Sequence, residues 1–137
     1  MNDRGSAGFV YWALLVLGGL ALANGLVMLL APEPWFLRIA TSSGPLNFHF
    51  VRDVGAAYAT SGIAAIWAAR APHFRAPLAI AAALFQGLHG AIHVFEVLAG
   101  TQPASHLVED FPAVYLPTLS LIGIAVHAYR RPAASRA

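Results

Sequence analysis

The chain has 137 residues, of which 58% are hydrophobic and 10% are charged. A typical soluble domain carries about 25% charged residues, and a chain this short cannot bury so much apolar surface in a core of its own. The composition excludes an ordinary soluble domain, and the absence of cysteine excludes a disulfide framework. We expect a single integral membrane domain over residues 1–137, with the lipid bilayer as its surroundings.

Four long apolar stretches follow one another along the chain. A helix that crosses a bilayer needs about 20 mostly apolar residues, and a helix satisfies its own backbone in lipid. The predicted spans are 9–30, 48–69, 77–98 and 111–129. The first run continues unbroken through Leu30, which is too long for the apolar region of a cleaved signal peptide. Short connections predict an all-α, four-helix transmembrane bundle in up-down-up-down order.

The basic residues predict how the bundle is oriented. All eight are arginines, and with the N-terminus inside, six of them are cytoplasmic: Arg4, Arg70, Arg75, Arg130, Arg131 and Arg136. Arg38 falls in the first outer loop and Arg52 falls within the second span. Positive residues accumulate in short cytoplasmic segments, so both termini are predicted to be cytoplasmic. The basic balance therefore reflects topology and predicts no nucleic-acid partner, and residues 130–137 are predicted to form a disordered tail.

Small residues recur at helical spacing in the first two spans. They are Gly18, Gly19, Ala23 and Gly25 in the first span, and Gly55, Ala59 and Gly62 in the second. Small residues allow helices in lipid to approach closely. They predict packing seams inside the bundle, and they also offer faces for a homo-oligomer.

Ionisable and polar residues within a membrane are costly and indicate a functional site. In the second span they are His49, Arg52 and Asp53, which share one helical face. In the third span they are Gln86, His89, His93 and Glu96, which lie within about 80° of one another. Both groups fall in the outer half of the predicted bundle, below His106 of the second outer loop and above Asn24 of the first span. The sequence therefore predicts one polar site in the outer half.

Three functional interpretations of this site remain open. The first is a metal site with the candidate ligands His49, Asp53, His89, His93 and Glu96, because imidazole and carboxylate suit zinc, iron, copper or manganese. The second, less favoured, is haem held between helices, for instance by His49 and His93. The third is catalysis or proton handling without a metal, in which Arg52 binds an anionic or carbonyl group and His93 acts with Asp53 or Glu96 as general base.

A structural interpretation competes with these three. Arg52 would pair with Asp53 or Glu96, and the histidines would bond to the backbone or to each other. The protein would then be a non-enzymatic membrane component whose polar residues stabilise the bundle or an oligomer. Glu109 and Asp110 precede the fourth span, and we interpret them as N-terminal capping residues that complement its helix dipole.

Three sequence blocks resemble a known group of proteins. They are GPLNFHFVRDVGAAY, LHGAIHVFEVLAG and HLVEDFPAVYLP, which lie between Gly44 and Pro117. In this order they resemble the motifs of a family of small, uncharacterised four-helix bacterial membrane proteins, loosely near the DoxX-like group. The resemblance implies a bacterial inner-membrane location and a four-helix fold. The resemblance brings no established activity with it. DoxX-like relatives are linked to quinone-coupled redox chemistry, and membrane redox chemistry is therefore an expectation by analogy of fold alone.

Overall fold

A computed structural model describes residues 3–130, with side chains from Gly5 onward, and this part of the chain is helical without a strand. The helices are α1 (Asp3–Leu30), α2 (Pro32–Ile39), α3 (Phe48–Arg70), α4 (Arg75–Leu98), α5 (His106–Glu109) and α6 (Leu116–Arg130). A π-helical turn over Phe111–Tyr115 leads into α6, and 3-10 turns over Thr41–Ser43 and Pro72–Phe74 precede α3 and α4. The prediction of an all-α fold is confirmed. Arg130, predicted to begin the tail, is the last residue of α6, and residues 131–137 lie outside the described part.

Three helical segments are long and apolar enough to cross a membrane. They cover Gly5–Leu30, Pro72–Leu98 and Phe111–Arg130. Their surfaces carry exposed large apolar side chains, such as Leu20, Leu84 and Leu119, which are 63%, 61% and 60% exposed. An apolar surface of this extent is typical of contact with lipid. The chain is therefore a membrane protein by length and composition, whereas α3, with 23 residues, is long enough but less apolar.

The long helices pack in the order in which they occur in the chain. Helix α1 lies along α3, α3 lies against α4, and α4 lies against α6, whereas α1 and α6 touch over only a short stretch. Neighbouring helices run in opposite directions. Helix α3 is therefore covered by α1 on one side and by α4 on the other, and its rotation decides which residues face α4.

The tightest contact in the protein joins α1 to α3. A Cβ atom on Gly25 would lie 2.5 Å from the backbone nitrogen of Ala59 and 2.5 Å from the carbonyl oxygen of Gly55. One on Gly62 would lie 2.5 Å from the backbone nitrogen of Leu22. Gly18 makes the matching approach to Gly62, so the predicted seam is confirmed for these glycines. Their face is occupied within the chain, and a homo-oligomer through other small-residue faces stays a prediction.

An apolar core closes the end of the protein that carries Arg70, Arg75 and Arg130. All four long helices contribute to it, mostly with small side chains: Val10, Leu14, Ala65, Ala68, Ala69, Ala79, Ala82, Ala83, Leu121, Ile124 and Ala125. At this end Arg75 donates hydrogen bonds to the carbonyl oxygens of Ala68 and Ala69, at 3.1 and 3.2 Å. These bonds cap the last turn of α3, where a positive charge also complements the helix dipole. The polar residues of the protein accumulate toward the opposite end.

Candidate functional site

A chain of three side chains forms the centre of the site, and we call it the polar triad: Asp110, His93 and His89. The Nδ1 atom of His93 lies 2.8 Å from Oδ2 of Asp110. The Nε2 atom of His93 lies 3.2 Å from Nε2 of His89. Since an ionised carboxylate only accepts hydrogen bonds, Nδ1–H of His93 donates to Asp110. The two histidines and the carboxylate are therefore connected in series.

Two different local structures bring the triad together. His89 and His93 are one turn apart on α4, so their rings meet on one face. Asp110 lies between α5 and the π-helical turn. Its backbone N–H donates to the carbonyl oxygen of His106, and its carbonyl oxygen accepts from Val114, both at 2.8 Å. Short π-helical segments occur frequently at functional sites, and here the wider turn holds Asp110 over α4.

Aromatic rings hold His89 in position from the α3 side. Tyr58 meets the His89 ring edge-on with centroids 5.3 Å apart, and Phe85 stacks on it at 6.0 Å. Tyr58 and Phe85 also contact each other edge-on at 5.1 Å. Tyr58 is 9% exposed, so its ring fills the space between α3 and His89. His89 uses Nε2 toward His93, and its Nδ1 has no hydrogen-bond partner among the described residues.

Thr118 on α6 and Tyr115 in the π-helical turn before it pack against α4 near the triad. Thr118 donates to the carbonyl oxygen of Gln86 at 3.1 Å, which ties α6 to α4 one turn below His89. The ring of Tyr115 lies beside Gly90, where an added Cβ would be 3.7 Å from Cδ1 of the tyrosine. The Tyr115 hydroxyl is buried without a hydrogen-bond partner in the described part of the chain. Leaving such a group unpaired costs about 1–3 kcal/mol, so it is suited to bonding a ligand or a water molecule.

The triad is linked to the surface of the protein through α5. His106, one of the predicted site residues, has its Nδ1 atom 3.9 Å from Oδ2 of Asp110. Its Nε2 atom lies 3.9 Å from Oε2 of Glu109, whose side chain is 63% exposed. These separations are too long for direct hydrogen bonds, but they are short enough for the imidazole ring to interact electrostatically with both carboxylates. Of the predicted residues, His89, His93 and His106 are therefore brought together, whereas Gln86 is bonded through its backbone carbonyl oxygen to Thr118.

The polar face of α3 does not join them. His49 and Asp53 pair with each other at 3.3 Å, and their side chains are 89% and 63% exposed. His49 lies about 180° around α3 from Tyr58, which is the residue that faces α4. Arg52 donates from Nε to the carbonyl oxygen of Leu29 at 3.3 Å and so caps the end of α1. The expectation that this face lies opposite the stripe on α4 is corrected: α3 turns its glycine face toward α1 and its tyrosine toward α4.

Two further predicted site residues have other partners. Asn24 accepts a hydrogen bond from Nε1 of Trp35 at 2.9 Å and donates to Sδ of Met28 at 3.7 Å, so it attaches α2 to α1. Glu96 lies in the last turn of α4, where its carbonyl oxygen accepts from the backbone nitrogens of Thr101 and Gln102. Neither side chain bonds to the triad.

The predicted metal ligands do not form one group. Over residues 3–130, no set of three or more His, Asp or Glu side chains is arranged to hold a metal ion. His49 and Asp53 face away, and Asp110 bonds to the Nδ1 side of His93. Within the triad, two candidate ligand atoms lie close together, Nε2 of His89 and Nε2 of His93. Zinc sites use three or four protein ligands, so this pair falls short of one.

The sequence interpretation missed Asp110, Tyr58 and Tyr115 as site residues. Asp110 was expected to cap the fourth span, yet its carboxylate bonds to His93. A signal for Tyr58 was present, because it lies on the same side of α3 as the buried Gly55 and Gly62 and opposite His49. For Tyr115 the sequence offered no comparable signal.

Comparisons with protein-family models, curated proteins and solved structures found no match to this chain. The resemblance to four-helix proteins near the DoxX-like group therefore stays a prediction. Any functional proposal for this protein depends on the geometry of the triad and its surroundings.

Proposed function

We propose that this protein resides in a bacterial inner membrane, crosses the bilayer four times and keeps both termini in the cytoplasm. The fourth crossing is α3. Its contacts with α1, Gly18 to Gly62 and Gly25 to Gly55, are seven residues apart on each helix, or about 10 Å along the axis. A helix that runs alongside α1 over this distance and also packs on α4 lies at the same depth in the membrane as those two helices.

The lower hydropathy of α3 has a local cause that fits this proposal. His49, Arg52 and Asp53 all lie in its first two turns, at the end away from Arg70. Charged groups near a helix end reach the headgroup region at modest cost. Arg70, Arg75 and Arg130 mark the other end of the bundle, which the positive-inside rule assigns to the cytoplasm.

Single cysteines test this topology, since the natural chain has none. We expect Ser105→Cys to react with a membrane-impermeant maleimide in intact spheroplasts, and Ala71→Cys to react only after permeabilisation. Ser43→Cys, in the other outer loop, is the matched control and should behave like Ser105→Cys. Labelling of Ala71→Cys in intact spheroplasts would contradict the four-crossing topology.

For the site, we propose an acid–base function: the polar triad holds a small polar ligand and exchanges a proton with it without a metal. The observation that carries this proposal is the series connection from Asp110 through His93 to His89. A carboxylate on one imidazole nitrogen selects the tautomer and stabilises the imidazolium that forms when the other nitrogen takes a proton. The unpartnered Nδ1 of His89 and the Tyr115 hydroxyl are the groups that bind the ligand.

The proton in this proposal comes from the outer aqueous side. His106 and the exposed Glu109 connect Asp110 to the surface. In the other direction the helices meet in the apolar core, where Leu14 and Leu121 are 0% and 1% exposed. A proton that reaches His89 therefore returns by the same route unless the ligand takes it. A role in membrane redox chemistry is a narrower form of the proposal, in which a separate electron donor reduces a lipid-soluble carbonyl compound and the triad supplies the protons that the reduced compound takes up.

A structural role is the second candidate, and one observation favours it. The His93–Asp110 bond ties α5 and the π-helical turn to α4, and the triad would do this with no change in protonation. The two roles differ in whether the histidines exchange protons with a ligand.

Nitrogen-15 spectra of ring-labelled histidine, recorded on the protein in nanodiscs, distinguish these roles. We expect the ring signals of His89 and His93 to shift together whenever either ring gains or loses a proton, because their Nε2 atoms are 3.2 Å apart. Asp110→Leu should move the His93 proton from Nδ1 to Nε2, and His49→Gln, on the exposed face of α3, should leave both signals unchanged. Ring signals that shift independently of each other would contradict the acid–base proposal. Loss of the single proton between the two Nε2 atoms on addition of one equivalent of Zn²⁺ would contradict its metal-free form.

A further inference from the structure

An apolar groove runs along the surface between α4 and α6, with a volume of about 710 Å³. Gly87 lines it, and an added Cβ there would have only Cδ1 of Ile122 nearby, at 4.0 Å. Leu84 and Val126 form part of its walls and are 61% and 44% exposed. Its volume lies within the usual range of ligand pockets, about 300–1,000 Å³.

The length and direction of the groove match one leaflet of a bilayer. On α4 it extends from Ile80 to Leu88, and on α6 from Ile122 to Arg130. Eight residues of helix correspond to about 12 Å, and one leaflet of the hydrocarbon core is about 15 Å thick. The groove therefore leads from the middle of the bundle to the end that carries the arginines.

The charged end of the groove selects the kind of occupant. Arg130 lines it and is exposed, and the neighbouring Tyr129 is 73% exposed. A guanidinium group binds phosphate with two parallel hydrogen bonds, and tyrosine prefers the headgroup region. An apolar groove that ends at the cationic Arg130 matches a molecule with an apolar chain and an anionic headgroup.

We infer that this groove binds one acyl chain of a phospholipid of the cytoplasmic leaflet, with the lipid phosphate at Arg130. The inference rests on the proposed membrane topology and is independent of the polar triad. His93 lies nine residues after Leu84, which is about 180° around α4, so the lipid and the triad occupy opposite faces of that helix.

Glycines on the two helices provide a variant and its control. Gly87→Leu fills the groove with an isobutyl side chain. Gly123→Leu adds the same side chain to α6 at a position outside the groove where no atom lies within 4 Å of an added Cβ. Arg130→Gln removes the charge and keeps the groove.

Native mass spectrometry of the protein purified in mild detergent, with phosphatidylglycerol added as the probe, tests the inference. We expect one phospholipid per chain in the natural protein and in Gly123→Leu, and none in Gly87→Leu. Arg130→Gln should weaken retention by about tenfold or more, since it removes a charge-assisted hydrogen bond. Equal retention in Gly87→Leu and Gly123→Leu would overturn the inference. So would a lipid-free dimer that Gly87→Leu dissociates, because a second copy would then fill the groove. Either result would leave the cysteine-labelling test of the topology unaffected.

Discussion

Replacing Gly25 with leucine is expected to force α1 away from α3 and to destabilise the protein by about 3 kcal/mol, the upper part of the range for overpacked sites. The first atom of the new side chain would lie 2.5 Å from two backbone atoms of α3. Backbone atoms inside a helix cannot rotate aside as a side chain can. The two helices must separate, and the contacts along the whole seam weaken with them.

Gly19→Leu is the matched control for this change. Gly19 lies on the same helix six residues earlier, and nothing lies within 4 Å of an added Cβ there. Both variants carry the same gain in apolar volume and helix propensity, so the difference between them isolates the close approach. Unfolding followed by circular dichroism in detergent measures it. Equal stability of the two variants would contradict a tight α1–α3 seam.

Replacing His93 with leucine should destabilise the protein by about 2 kcal/mol, and more than Asp110→Leu does. His93→Leu leaves the Asp110 carboxylate, whose side chain is only 20% exposed, without its nearest partner. Removing one member of a fully buried charge pair costs about 3–5 kcal/mol, and partial exposure reduces this figure. Asp110→Leu leaves an imidazole, which can remain neutral and keep its bond to His89. Equal losses in the two variants would indicate that Asp110 carries no charge in the folded protein.

The limits of α3 could be predicted from the sequence because local chemistry determines them. The second predicted span, 48–69, corresponds to α3 at Phe48–Arg70. Asn47 begins this helix by accepting a hydrogen bond from the backbone nitrogen of Phe50 at 3.1 Å. Such caps and the proline-rich turns act within a few residues, so the sequence carries their signal.

The rotation of each helix was harder to predict, and this explains the part of the site that the sequence misplaced. Periodicity shows that His49 and Asp53 share a face, but not toward which neighbour that face points. The seam at Gly55 and Gly62 determines the rotation of α3. Because the glycine side of α3 packs on α1, the side that carries His49 and Asp53 points away from α1. On α4 the spacing of His89 and His93 was sufficient, since both residues lie on one helix.

Contacts between distant parts of the chain could not be predicted from local sequence patterns. Asp110 reaches His93 because α5 and the π-helical turn fold back over α4, and a carboxylate before a helix is equally typical of a cap. Asn24 and Trp35 meet for the same kind of reason, since α2 folds against the end of α1. In both cases the sequence indicated that the residue would form a polar contact, but it did not indicate with which partner.

A double-mutant cycle between Asp110 and His93 tests the central claim, the connected triad, most directly. The free energies of unfolding of the natural protein, Asp110→Leu, His93→Leu and the double variant yield the coupling between the two side chains. We predict a coupling of about 1.5 kcal/mol, at the upper end for interhelical hydrogen bonds in membrane proteins. The parallel cycle between Asp53 and His93 should be additive, because Asp53 pairs with His49 on the exposed face of α3. Coupling between Asp110 and His93 within about 0.5 kcal/mol of zero, which is the scatter of independent sites, would contradict the account.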